Sequence, residues 1–284
     1  MLYRGWPVAL VLRTGLLVMG KSSITSARHV QDSKSLPAVS LLFDPGARPG
    51  AQQIRQLAVQ TGAFAIGSDM RDEDQPWLEL VSNGLTFDLR GLAPGASTQP
   101  EPTVHQSGLD ASFPRERCET ISITPGPHLA AGGAMLAVVR ALAMIAACCT
   151  RLDGTQAVAW HPARALSEAS YFRRGVTEWN GGGSFPGLCL AALAPTGEGG
   201  LQSEGLALFT GQELSMHPEV VTDQVQASGI ALRLLDWLVQ HGPVTQGFEL
   251  AAPAGGTLRL EPGDNPHLVS VRKDAPGLAT ASDP

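Results

Sequence analysis

Residues 77–92, "WLELVSNGLTFDLRGL", decide how the rest of the chain is read. Two strand-like runs flank Asn83-Gly84, and that pair tolerates the positive φ angles of a tight type I′ turn, so the stretch predicts an antiparallel hairpin. Upstream, "LPAVSLLFD" (36–44) is a short apolar run closed by Asp-Pro-Gly and reads as a buried strand. "PGAQQIRQLAVQTG" (49–62) follows as a short helix between a proline and a glycine, with Ile54, Leu57 and Ala58 at helical spacing. Strand, helix and hairpin thus make one unit, and strands joined partly by hairpins exclude a purely parallel, doubly wound sheet.

Residues 93–117 hold proline, glycine, serine and charge without a hydrophobic period, which predicts a linker or long connection. Beyond it the pattern resumes. "ETISITPG" reads as a strand, 129–150 as an alanine-rich helix, "QAVAWHP" as a strand stopped by Pro162, and "SEASYFRRGVTEW" as a short helix capped by Ser167. "LCLAALAP" (188–195) and "LQSEGLALFT" (201–210) read as strands around a glycine-rich turn. "HPEVVTDQVQASGIALRLLDWLVQHG" is the clearest helix, with Val221, Val225, Leu232, Leu235 and Val239 on one stripe and Pro218 in its first turn. A hairpin, "GFELAAP" with "TLRLEPG", and a last strand, "HLVSVR", complete the order. The expectation is an α+β fold of strand-helix-hairpin units with mixed and antiparallel sheets, arranged as two packed modules. Residues 36–92 form the first module and 118–273 the second; 1–35 is an unassigned extension and 274–284 a disordered tail.

The second half, with "AVAWHP", "FPGLCLAAL", "GLALFTGQEL" and "HGPVTQGFEL" around its helices, resembles the bacterial family called domain of unknown function 4261. "AVSLLFDPG" and the hairpin are similar to the N-terminal part of its longer members, so the resemblance covers roughly residues 36–272. It assigns no activity and no catalytic residues.

Composition narrows the function classes. A formal net charge of −6, with lysine only at 21, 34 and 273, lacks the clustered cations of a nucleic-acid surface. Cys118, Cys148, Cys149 and Cys189 show no metal spacing and no disulfide framework. Cys148 and Cys149, inside an apolar helix, are expected to be buried and reduced, which favours the cytoplasm. The apolar stretch 129–149 carries Arg140 near its middle and reads as a core helix rather than a membrane span.

"GLLVMGKSS" (15–23) satisfies G-x-x-x-x-G-K-[ST], in which Lys21 would meet the β and γ phosphates and Ser22 a magnesium ion, with Asp44 placed like a Walker B carboxylate. The bulky variable positions and the polar stretch after Lys21 argue for an accidental match, and Met19 is a plausible start that would remove Gly15. "GQELSMHPE" groups Glu213, His217 and Glu219, residue types that bind metal, but a strand end followed by a helix start would make them diverge. "WNGGGSFPG" (179–187) reads as a loop, and His161 as a lone strand-end histidine. The expectation is therefore a non-enzymatic protein acting through protein contacts, with no catalytic, cofactor or metal residues assigned. The alternative is a hydrolase working through Lys21/Ser22 or through Glu213/His217/Glu219.

Overall fold

The computed structural model describes residues 38–67, 76–221, 223–252 and 255–273. The chain enters through β1 (Val39–Phe43), every residue of which is buried. Helix α1 (Ala51–Thr61) begins where the Gly50 amide donates to Gln53 Oε1 at 2.6 Å and ends at Gly62, whose φ of 62° turns the chain away. Strand β2 (Ala65–Ile66) leads to the hairpin of β3 (Trp77–Ser82) and β4 (Leu85–Arg90). Asn83 and Gly84 take φ of 52° and 76°, the paired positive values that the Asn-Gly turn predicts.

A three-residue strand, β5 (His105–Ser107), lies inside the stretch read as a linker. Then come β6 (Glu119–Pro125), α2 (Leu136–Cys149), β7 (Thr155–Trp160), β8 (Ala165–Glu168) and α3 (Ala169–Asn180). A helical turn α4 (Gly187–Leu190), the hairpin of β9 (Ala192–Pro195) and β10 (Leu201–Glu204), a second turn α5 (Ala207–Thr210) and β11 (Glu213–Met216) follow. The long α6 (Gln224–His241) precedes β12 (Phe248–Ala251), β13 (Thr257–Pro262) and β14 (Leu268–Lys273).

These strands form two sheets, one in the order β2-β3-β4-β6-β1-β7-β8-β5 and one in the order β12-β13-β14-β11-β10-β9. Pairing is antiparallel except β5 with β8 and β11 with β14, so the fold is α+β with mixed sheets, as the hairpins require. In the larger sheet Leu41, Phe87, Leu89, Ile121, Val158 and Trp160 alternate onto one face and join the main core with α1, α2 and α3. That core continues into the smaller sheet through Leu214, Met216, Leu260 and Val271, against Ala227, Ala231 and Leu235 of α6.

The boundary expected at 93–117 does not separate two sheets. β1 pairs with β6 and β7 rather than with the hairpin, and β4 also pairs with β6, so strands from both sides of that stretch share one sheet. A polar segment without period marks a surface path, and this one crosses the face of the sheet instead of joining two cores. The described part of the chain clusters as a single unit.

Several elements differ from those expected of their sequence. "LCLAALAP" begins as α4, because the chain there turns onto α6: a Cβ on Gly187 would lie 2.9 Å from Leu232. "SEGLALFT" ends as α5, whose first amides are held by the Glu213 side chain. Helix α2 starts at Leu136, after a 3-10 stretch at Pro127–Gly132. Ser167 lies in β8, and Glu168 is the cap of α3, its carboxylate accepting from the Ser170 and Tyr171 amides. Pro218 sits in a separate 3-10 turn, and Asp223 caps α6 through the Gln226 amide at 2.8 Å. No helix among the described residues is long and apolar enough to cross a membrane.

Candidate functional site

Lys21 and Ser22 lie outside the described residues. Asp44, beyond the end of β1, accepts a hydrogen bond from Gln156 Nε2 at 2.8 Å, and the strands beside β1 run antiparallel to it, unlike the neighbours of a phosphate-loop strand. Glu213, His217 and Glu219 do not converge. Glu213 accepts from the amides of Gly205, Leu206 and Ala207 at 2.8, 3.2 and 3.0 Å and from the Ser203 hydroxyl. His217 Nε2 lies 2.9 Å from Ser270 Oγ, while Glu219 is exposed on its 3-10 turn. Among the described residues no group of three or more His, Cys, Asp or Glu is arranged to hold a metal ion. The 179–187 loop closes α3 and is pinned to α6 by the Phe185 amide donating to Asp236 Oδ1 at 2.7 Å.

The arrangement that does gather polar side chains lies on the other face of the larger sheet. Leu42, Ala159 and Leu166 form a small apolar floor there, and Leu109, Phe113 and Cys118 pack beside it. Over this floor the chain from Gly91 to Cys118 passes as an arch. Its first anchor is Arg48, whose guanidinium donates to the carbonyls of Gly91 and Gly95 at 2.6 and 2.7 Å. The second is Thr120: its amide donates to Ser97 Oγ at 2.8 Å and its carbonyl accepts from the Thr98 amide at 3.1 Å. Gly91 has φ of 88°, and a Cβ there would lie 2.8 Å from Thr98 Cγ2 and 2.9 Å from the Thr120 carbonyl, so the approach admits only glycine.

The far end of the arch is fixed where the Val104 and His105 amides donate to the Arg164 carbonyl at 2.8 and 3.1 Å. Arg115 Nη1 ties it sideways, donating to both oxygens of Thr103 at 3.0 Å. Between the anchors, residues 99–102 make no backbone hydrogen bond to described residues, and Pro100 and Pro102 have no amide proton to offer. Two prolines stiffen the span, and beneath it lies a cavity of about 330 Å³.

Three groups around this cleft bear on chemistry. Cys118 lines it, and its thiol is pushed up from its ordinary value by burial, with the charges of Asp44 and Glu116 adding to the effect. Such a thiol is protonated at neutral pH and is a poor nucleophile. On the same sheet face Ser40, 1% exposed, shares a hydrogen bond of 2.9 Å with His161 Nε2. Burial lowers the His161 pKa, Glu101 on the arch opposes that shift, and the buried Nδ1 has no hydrogen-bond partner among the described residues. Ser40 and His161 have the pairing of a nucleophile and its base, but a serine this covered offers no path to a substrate carbonyl. Glu101 lines the cleft, is exposed, and forms no hydrogen bond or ion pair among the described residues.

Apart from the proline-rich "TQPEPT", no sequence pattern marks this cleft, because its floor comes from three strands and its roof from a stretch without period. Only the pairing of β1 with β7, and of β7 with β8, brings Leu42, Ala159 and Leu166 together. No protein-family model, no curated protein and no solved structure matches the chain.

Proposed function

We propose that this protein acts without catalysis, by taking a segment of a partner protein into the arched cleft. The observation that supports this reading is an anchored arch over an apolar floor, next to side chains that are already bonded or held in unreactive protonation states. Ser40 is tied to His161, and the Cys118 thiol is held protonated. A preformed cleft loses little conformational freedom on binding, which favours recognition. Membership of the 4261 family and a reducing, cytoplasmic location belong to the same proposal. The family rests on the resemblance over 36–272, and the location is supported by Cys118, Cys148, Cys149 and Cys189 all being free thiols.

Site-specific photocrosslinking in cells tests the reading. A benzophenone amino acid replacing Gln99 on the arch is expected to capture a discrete partner. The same probe replacing Val59, 87% exposed on α1, should not capture it. Equal labelling from the two positions would remove the cleft as the contact site.

A further inference from the structure

The contact surface has a chemical bias that goes beyond its shape. Its floor of Leu42, Ala159 and Leu166 is apolar, while the charges at its rim are Glu101, Glu116 and Arg115. Arg115 is already engaged, its Nη1 on Thr103 and its Nε 3.3 Å from Glu116 Oε1. Glu101 keeps a carboxylate with no hydrogen-bond or ion-pair partner among the described residues. Asp44 adds a further negative field at Cys118 in the cleft wall, and the whole chain carries a formal charge of −6.

An apolar floor beneath a free carboxylate suits a side chain with a hydrocarbon stem and a cationic head. Of the two candidates, arginine fits better. Its planar fork meets a carboxylate through two parallel hydrogen bonds, and its head is less strongly hydrated than an ammonium group. The cavity of about 330 Å³ lies at the small end of ligand sites, suited to one long side chain rather than to a folded surface. We infer that the cleft between the 97–103 arch and the sheet is an arginine-accepting site, with Glu101 receiving the guanidinium and Leu42, Ala159 and Leu166 receiving its stem. This inference rests on the partner-binding reading above and names the partner's chemistry: a segment that presents an arginine, in an acidic surround that repels anionic segments.

The test uses the full chain and butylguanidinium as the probe, with butylurea as its neutral isostere and pentanoate as an anionic control, followed by calorimetry and by protection of Cys118 from a thiol reagent. Butylguanidinium should bind in the millimolar range expected of so small a ligand and slow the labelling of Cys118. Butylurea should bind roughly threefold to tenfold more weakly, and Glu101→Gln should erase that difference. Glu101 is exposed, so this variant keeps the fold. Butylurea or pentanoate binding as tightly as butylguanidinium would overturn the inference, as would an unchanged preference in Glu101→Gln. Partner capture from position 99 that persists in Glu101→Gln would keep the cleft as a contact site and remove the arginine. Guanidinium binding that protects Cys118, without any capture from position 99, would keep the cation site and remove the partner-protein reading.

Discussion

Ser40 Oγ and His161 Nε2 meet at 2.9 Å although 121 positions separate them in the chain. The bond holds the end of β7 against β1 and keeps a neutral imidazole under the arch. Burial lowers the pKa of His161 from its ordinary 6.5, so the unfolded chain takes up the proton at a higher pH than the folded one. The resulting stability is complete above about 6.5 and is lost as the pH falls toward the folded value. Urea midpoints should therefore decline from pH 7.5 to pH 5.5, and His161→Gln should flatten that decline. An equal slope in both proteins would show that the imidazole is solvated.

Glu213 is expected to be a structural residue and not a metal ligand. Its carboxylate holds three backbone amides of the turn into α5 and the buried Ser203 hydroxyl. Glu213→Ala leaves these donors without an acceptor and should cost about 1.5–3 kcal/mol, read from the denaturation midpoint. A variant of unchanged stability that had lost bound metal would reverse the assignment.

Local chemistry was legible in the sequence wherever a single residue type enforces a backbone state. Asn83-Gly84 fixes the hairpin, Gly62 ends α1, and the alternation of Ile121 and Ile123 with polar neighbours marks a strand with one face in the core. What remained hidden depends on long-range pairing. Nothing near β1 announces that its partners are β6 and β7, so the 93–117 stretch read as a divider when it is a roof. Glu213 likewise read as a candidate ligand because its partners, the amides at 205–207, carry no side-chain signature. The apolar residues of "GLALFT" count as strand formers until the carboxylate that caps them is known.

Helix α6 provides a test of which stripe is buried. Leu235 is fully buried, whereas Val225, on the same expected stripe, is 63% exposed, because the face that α6 turns to the core is that of Ala227, Ala231, Leu234, Leu235 and Leu238. Leu235→Ala should cost about 2–5 kcal/mol. Val225→Ala should stay within about 0.5 kcal/mol, as surface changes do. Similar costs at both positions would mean that the first turn of α6 is covered by something beyond the described contacts.

The four thiols should separate into one accessible and three protected. Cys118 is partly exposed in the cleft wall, while Cys148, Cys149 and Cys189 are 8%, 0% and 2% exposed. Burial raises all four pKa values: that of Cys189 is pushed up to about 12, and that of Cys148 is moderated by its contact with Thr61 Oγ1 at 3.3 Å. Because the thiolate is the reacting form, even Cys118 should label more slowly than a free thiol at pH 7.5. One equivalent of an aromatic disulfide reagent should react with the native protein, and Cys118→Ser should remove that phase. The other three should label only as fast as the chain opens, so their rate should rise with denaturant while that of Cys118 changes little. Native-state labelling of Cys148 or Cys149 at the rate of Cys118 would contradict the packing of α2 against α1 and reopen a redox role for the adjacent pair.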